Sequence, residues 1–452
     1  MTIAFFGIFV YGLLAALPGS VLPTLERSQF LPNDTAVGTF LLINAIGAVA
    51  AYLVSGPIID RIGKKVALVF GTGLVIVSML GFAATVSKVS PPSAVLYVFT
   101  CSLLLGLGAN AIVAAGHALV ADVAAGWRNA ALNLLDICFG LGLASLPLVV
   151  QSLQRRGGLT SIFWMLSGLS FALLLLIVFS RFPRSIHLES FPVGAAGSLF
   201  RNPSFLLLAT ALFMYVGAEV SVGKWVVTFM ERDPRILASH GLTADRVASI
   251  ANMSPEMLSK FFETDTTGYA IAGYALTTLT LFAAALLVGR LVSSFLLGVL
   301  RVNSYVLITI GSLLTTFALI IAFTSNSSTT VRVGLIAAGF GMGPTFPTSV
   351  GLASVMMPRI AGTAMSLVMG VGFAGLLVIP PGVGYISSAV GGVAGDVRSG
   401  LIVVIAASVL MFILHVLLML RERRAGSDTN LQKQAQSGRG QATKQQPNPT
   451  RP

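Results

Sequence analysis

The chain has 452 residues, 55% of them hydrophobic and only 10% charged, with a mean hydropathy of +0.89. Soluble domains carry about 25% charged residues, so the composition excludes an ordinary soluble globular protein and leaves one that crosses a membrane many times. The net charge of +12 does not imply nucleic acid, because the cations are spread along the chain at the ends of apolar runs.

A spanning helix needs about 20 apolar residues, and the sequence predicts twelve, at 3–24, 36–58, 66–86, 94–120, 131–153, 160–180, 204–230, 268–298, 304–323, 333–357, 362–388 and 399–420. These runs are continuous, which excludes the ten-residue alternation of a membrane β-barrel. Met1-Thr2-Ile3-Ala4 has no basic region ahead of the first run, so that run reads as a span and not as a removable signal. Pro and Gly recur within the spans, where membrane helices tolerate them. Cys101 and Cys138 lie inside apolar runs and offer neither a disulfide framework nor a zinc site.

With both termini placed in the cytoplasm, sixteen Lys and Arg fall on the inner side against five acids, and ten against nine on the outer side. This asymmetry orients the chain in the cell (inner) membrane. The predicted domains are a six-helix bundle at 1–181, a cytoplasmic linker at 182–203, a second six-helix bundle at 204–424 with an outer loop at 232–267, and a disordered tail at 425–452. Within the outer loop, Ser254-Pro255-Glu256 reads as the cap and first turn of a short helix. The tail is rich in Gln, Ser, Gly and Pro. Asn33, Asn252 and Asn326 begin glycosylation sequons in outer loops.

The halves echo each other. At an offset of 205, Gly12 aligns with Gly217 and Glu26-Arg27 with Glu231-Arg232; at an offset of 233, Gly106-Leu107-Gly108 aligns with Gly339-Phe340-Gly341. Between spans 2 and 3 runs Gly56-Pro57-Ile58-Ile59-Asp60-Arg61-Ile62-Gly63-Lys64-Lys65. Gly56 permits close helix approach and Gly63 a turn with positive φ. An ordinary basic loop accounts for the cations but not for an acid set before them between two glycines.

This ten-residue pattern resembles the loop signature of the major facilitator superfamily, at the place where that family carries it. Tyr215-Val216-Gly217-Ala218-Glu219, Phe346-Pro347-Thr348 and Arg128-Asn129-Ala130-Ala131-Leu132-Asn133 leading to Phe139-Gly140 look like the fucose/hexose:proton symporters and their sodium-dependent glucose transporter-like relatives. The resemblance implies an all-α membrane protein of twelve helices in two pseudo-symmetric bundles, with substrate bound near the midplane between them. It also implies that Gly56, Asp60, Arg61, Gly63, Lys64 and Lys65 form a gating loop. Fucose-type members carry coupling acids on spans 1 and 4. Here span 1 has none, and span 4 none before Asp122.

Ionisable groups inside spans are therefore the informative residues, since a charge in hydrocarbon costs about 3 kcal/mol even on the lenient scale. Glu219 in span 7 reads as a carboxylate for a sugar hydroxyl pair, a proton or sodium. Asp136 in span 5 is a further candidate for substrate or coupling-ion contact, or it pairs with Asn133 or His117 or joins the loop network on the inner side. Arg290 in span 8 neutralises a cavity acid or snorkels, Lys224 snorkels to the outer surface, and His117 packs. Amide, hydroxyl and aromatic groups suited to a sugar come from Asn44, Asn110, Asn133, Trp225, Tyr269, Tyr274, Thr277 and Thr278, with Asn110 best placed.

The expected protein is a monomeric secondary transporter of a monosaccharide, coupled to protons or sodium, with no cofactor, resident metal or catalytic set. A drug or metabolite exporter of the same superfamily is the alternative. Span 4 lacks an Arg and span 5 a Gly-Pro-x-x-Gly signature, which disfavours that exporter.

Overall fold

The computed structural model describes residues 1–123, 128–182, 201–357, 361–391 and 395–444. The first half contains α1 (Thr2–Arg27), α2 (Asp34–Arg61), α3 (Lys64–Lys88), α4 (Pro91–Val123) and the long α5 (Arg128–Phe179). Gly158 breaks α5 with φ 64° and ψ −170°, so α5 supplies two spans, as the sequence predicts. After the linker come α6 (Pro203–Arg232), three short helices α7 (Pro234–Ser239), α8 (Ala244–Ala251) and α9 (Pro255–Thr264), then α10 (Thr266–Gly298) and α11 (Ser304–Thr324). The chain ends with α12 (Ser328–Met342), α13 (Thr345–Met356), α14 (Ala361–Ala374), α15 (Ile379–Gly391), α16 (Val397–Gly400) and α17 (Ile402–Lys444).

Among the described residues, eleven helical stretches are long and apolar enough to cross a membrane. The tenth expected span, 333–357, is not one rod: α12 stops at Met342 and α13 restarts at Thr345. Pro344 has no N–H to continue the ladder and its ring crowds the preceding turn. The eleventh span is likewise interrupted, by a 3-10 turn at Gly375–Leu377 ahead of Pro380 and Pro381. α17 runs in backbone to Lys444, into the stretch where composition predicts a disordered tail. Leu431–Gln436 is made of helix formers, which suits that continuation.

Side-chain caps start α2, α9 and α10. Asn33 accepts from Ala36 N at 2.9 Å, Ser254 from Met257 N at 3.3 Å and Asp265 from Thr267 N at 2.9 Å. Each satisfies an amide that the first turn leaves orphaned. The helix expected at Ser254-Pro255-Glu256 is α9.

The two sequence repeats do the same packing work in each half. A Cβ on Gly106 would meet Asn44 O of α2 at 2.1 Å, and one on Gly108 would meet Gly71 O of α3 at 2.7 Å. In the second half a Cβ on Gly339 would meet Phe282 O of α10 at 2.5 Å, and one on Gly341 would meet Gly311 O of α11 at 2.8 Å. Bare backbones at these crossings let α4 and α12 sit against two neighbours each. Gly12 lies against Phe139 O and Gly142 of α5, and Gly217 against Ile379 of α15, so the first helix of each half touches that half's fifth span.

The halves meet along α2 with α15, α5 with α10, and α1 with α6. Large apolar side chains that face outward, such as Phe179, Leu96 and Val355, suit a hydrocarbon solvent. The chain is thus an integral, multi-pass, all-α membrane protein of two pseudo-equivalent bundles, and the seam between them positions the site.

Candidate functional site

Glu219 on α6 and Arg290 on α10 face each other deep within the helices, Nη2 to Oε1 at 3.7 Å, with side chains 15% and 12% exposed. Of the two readings of Arg290, neutralising an acid is the one this geometry fits. Tyr215, one turn before Glu219, is fully buried and interacts electrostatically with both members of the pair, as does Asp136 of α5. Gly343, at the break between α12 and α13, backs this point: a Cβ there would lie 2.6 Å from Arg290 N.

The first half presents a polar cluster to the same region. Asn110 of α4 accepts from Tyr11 Oη and from Tyr52 Oη, each at 3.4 Å, while its amide donates to Gly106 O at 2.9 Å. Tyr11 stacks on Phe139 with centroids 5.4 Å apart, and the Arg290 guanidinium lies 5.9 Å from the same Phe139 ring. Tyr52 stacks on Phe373 of α14 at 5.4 Å, and Phe373 meets Phe346 of α13 at 6.1 Å. Two stacked pairs, one of them bridging the halves, therefore flank a carboxylate, a guanidinium and an amide. Thr345 and Thr348 at the start of α13 are buried, and their hydroxyls have no hydrogen-bond partner.

Other expected residues lie elsewhere. Trp225 is fully buried and its indole N–H donates to Pro380 O at 2.9 Å. Tyr274 sits under the Arg332 guanidinium and edge-on to His240, toward the outer-loop helices. Thr277 donates to Gly273 O within its own helix. Asn44 donates to Ser102 O and ties α2 to α4. His117 bonds Val113 O, as a packing residue does. Lys224 does not snorkel: it is 8% exposed and donates to Ala15 O of α1 at 2.8 Å, because α6 is pressed against α1 where Gly19 meets Gly223 O. The side chain of Asn133 lies outside the described residues.

At one end of the seam the halves are tied by charge. Arg27 pairs with Glu231, and Arg232 pairs with Glu26 at 3.1 Å and with Asp34, which also accepts from Ser387 of α15. Beside them Arg398 donates to Asp233 at 2.6 Å. Phe262 of α9 covers the Arg27 guanidinium at 4.7 Å. Sequence reasoning saw Glu26-Arg27 and Glu231-Arg232 only as a repeat; their reciprocal pairing needed the fold.

At the opposite end Gly63 has φ 116°, the turn expected of it, and caps α3. Lys65 donates to Val178 O at 2.7 Å and Ser180 O at 3.0 Å, both within the first half, and Lys64 is buried. The side chains of Gly56, Asp60 and Arg61 lie outside the described residues.

Two matched bundles with ionisable and aromatic groups at their seam define a membrane carrier. The chain belongs to the Major Facilitator Superfamily, whose family profile matches residues 4–235 and 236–449. It is 23% identical over 421 residues to Bypass of stop codon protein 6 of Saccharomyces cerevisiae, covering 84% of this chain and 76% of that one. It is 22% identical over 389 residues to an uncharacterized MFS-type transporter of Yersinia pestis, covering 84% and 86%. Among solved structures it resembles a D-xylose-proton symporter (TM-score 0.70, 15% identity, 92% of this chain and 96% of that one) and the nucleoside transporter NupG (0.67, 15%, 92% and 99%). It also resembles the fucose:proton symporter FucP of E. coli, with a TM-score of 0.59 at 14% identity over 92% and 98%.

Proposed function

We propose that the protein is a secondary active transporter that moves a small polar solute, a monosaccharide, by alternating access, with protons or sodium as the coupling ion. The observation that carries this reading is the Glu219–Arg290 pair at the inter-half seam, set among Asn110, Tyr11, Tyr52 and two stacked aromatic pairs. A carboxylate, a guanidinium and an amide offer the bidentate bonds that vicinal hydroxyls accept and donate, and aromatic faces suit sugar C–H surfaces. The unpartnered hydroxyls of Thr345 and Thr348 add donors nearby. Asp136 and Arg290 contribute charge to the same site, Glu219 carries coupling or substrate contact, and the Gly56–Lys65 loop closes the cytoplasmic face.

Stacked rings also suit a nucleobase, which favours a nucleoside as the second reading. The test is uptake into proteoliposomes loaded with each solute class, under imposed proton or sodium gradients. Glu219→Gln should lose concentrative uptake by at least tenfold while the protein stays folded. Wild-type uptake in that mutant removes Glu219 from coupling, and efflux without uptake in the wild type turns the reading to an exporter.

A further inference from the structure

The five charged groups at the closed end of the seam do not balance. Glu26, Asp34 and Glu231 are three carboxylates, whereas Arg27 and Arg232 are two guanidiniums. Glu26 is 9% exposed, Asp34 0% and Glu231 3%. Arg27 pairs with Glu231, and its charge also reaches Glu26. That leaves Glu26 and Asp34 to share Arg232. The two acids accept from the same Arg232 nitrogen, Nη1, so their carboxylates stand side by side. Glu26 Oε2 is buried and has no hydrogen-bond partner. Among the described residues, no neighbouring element supplies a third cation to this pair: Arg398 is engaged by Asp233, and Asp396, which also acts on Arg232, adds a further acid. A Cβ on Gly395 would overlap the Asp34 carboxylate and Phe262 covers Arg27, so both acids are withdrawn from water while Arg232 stays 28% exposed.

We infer that the Glu26–Asp34 pair is a proton-binding site, built by both halves, that takes up one proton when this end of the transporter closes. A second buried carboxylate on a shared guanidinium makes it costly for both to be charged. When the end opens, water solvates both acids and the proton leaves. This deepens the transport reading, and it places a proton site at the gate, about four turns from Glu219 along the helices.

Closure that takes up a proton is favoured at low pH and weakens as pH rises, by up to about tenfold in the closed-to-open ratio per pH unit for one proton. The experiment is pulsed EPR on purified protein in nanodiscs without substrate, from pH 5 to 8, in a Cys101→Ser, Cys138→Ser background. Spin labels at Lys88→Cys and Arg235→Cys, both exposed at the gated end and outside the ion pairs, report the opening. The wild type should shift from a short to a long distance as pH rises. Asp34→Asn and Glu26→Gln should each flatten that dependence and stay closed across the range. Glu231→Gln, which leaves the shared pair intact, should open more at every pH but keep the slope. A pH-independent wild type, or an unchanged slope in both Asp34→Asn and Glu26→Gln, overturns the inference. A slope lost in Glu219→Gln instead assigns the proton to the central site. Uptake by Glu219→Gln tests the transport reading separately.

Discussion

Glu219 and Arg290 were each legible from sequence, because a charge inside an apolar run demands a reason. Their pairing was not, because it depends on how α6 and α10 rotate about their axes. Lys224 and Trp225 show the converse. Both residue types sit readily near a membrane surface or cavity, yet a close crossing of α1 on α6 buries Lys224, and Trp225 turns its indole N–H to the Pro380 carbonyl. His240, outside the spans, is a smaller case with a testable sign. Burial, and then the nearby Arg332 guanidinium, push its imidazole below the ordinary 6.5. The folded state therefore prefers the neutral ring, and the stability this gives is present above about pH 6.5 and lost as pH falls through the depressed value. Deuterium uptake by residues 236–264, corrected for intrinsic exchange, should rise between pH 7.5 and 5.5. The rise should be smaller in His240→Gln.

Element boundaries followed the hydropathy pattern closely, and the departures have local causes. Pro344 and the Pro380-Pro381 pair break spans that composition alone renders continuous. The glycine repeats were visible as weak matches, and the structure gives them a shared purpose, backbone contact between the fourth helix of each half and two neighbours. Gly106→Val should force α4 away from α2, since a Cβ there meets Asn44 O at 2.1 Å, and should cost about 1–3 kcal/mol or more. A fall in detergent-solubilised melting temperature would register it. The same change at Gly73, which has open space at its Cβ, should leave the melting temperature nearly unchanged.

For the molecule as a whole, the charge asymmetry between loops is the property that sequence reads most directly, because insertion acts on loops one at a time. It predicts that a fluorescent protein fused after residue 452 lights up in cells and that alkaline phosphatase fused there is inactive. The reverse result would invert the bundle and move the Glu26–Arg232 end to the cytoplasm. The seam itself was out of reach, since nothing in either half alone says which residues of the other it meets.

The Glu-Arg dyad at the end of α1 recurs at the end of α6, and each dyad's acid meets the other's base. A surface of that kind is complementary to itself, which is the property that lets identical subunits join about a twofold axis. At these two dyads the single chain keeps the reciprocal contact rule of a homodimer.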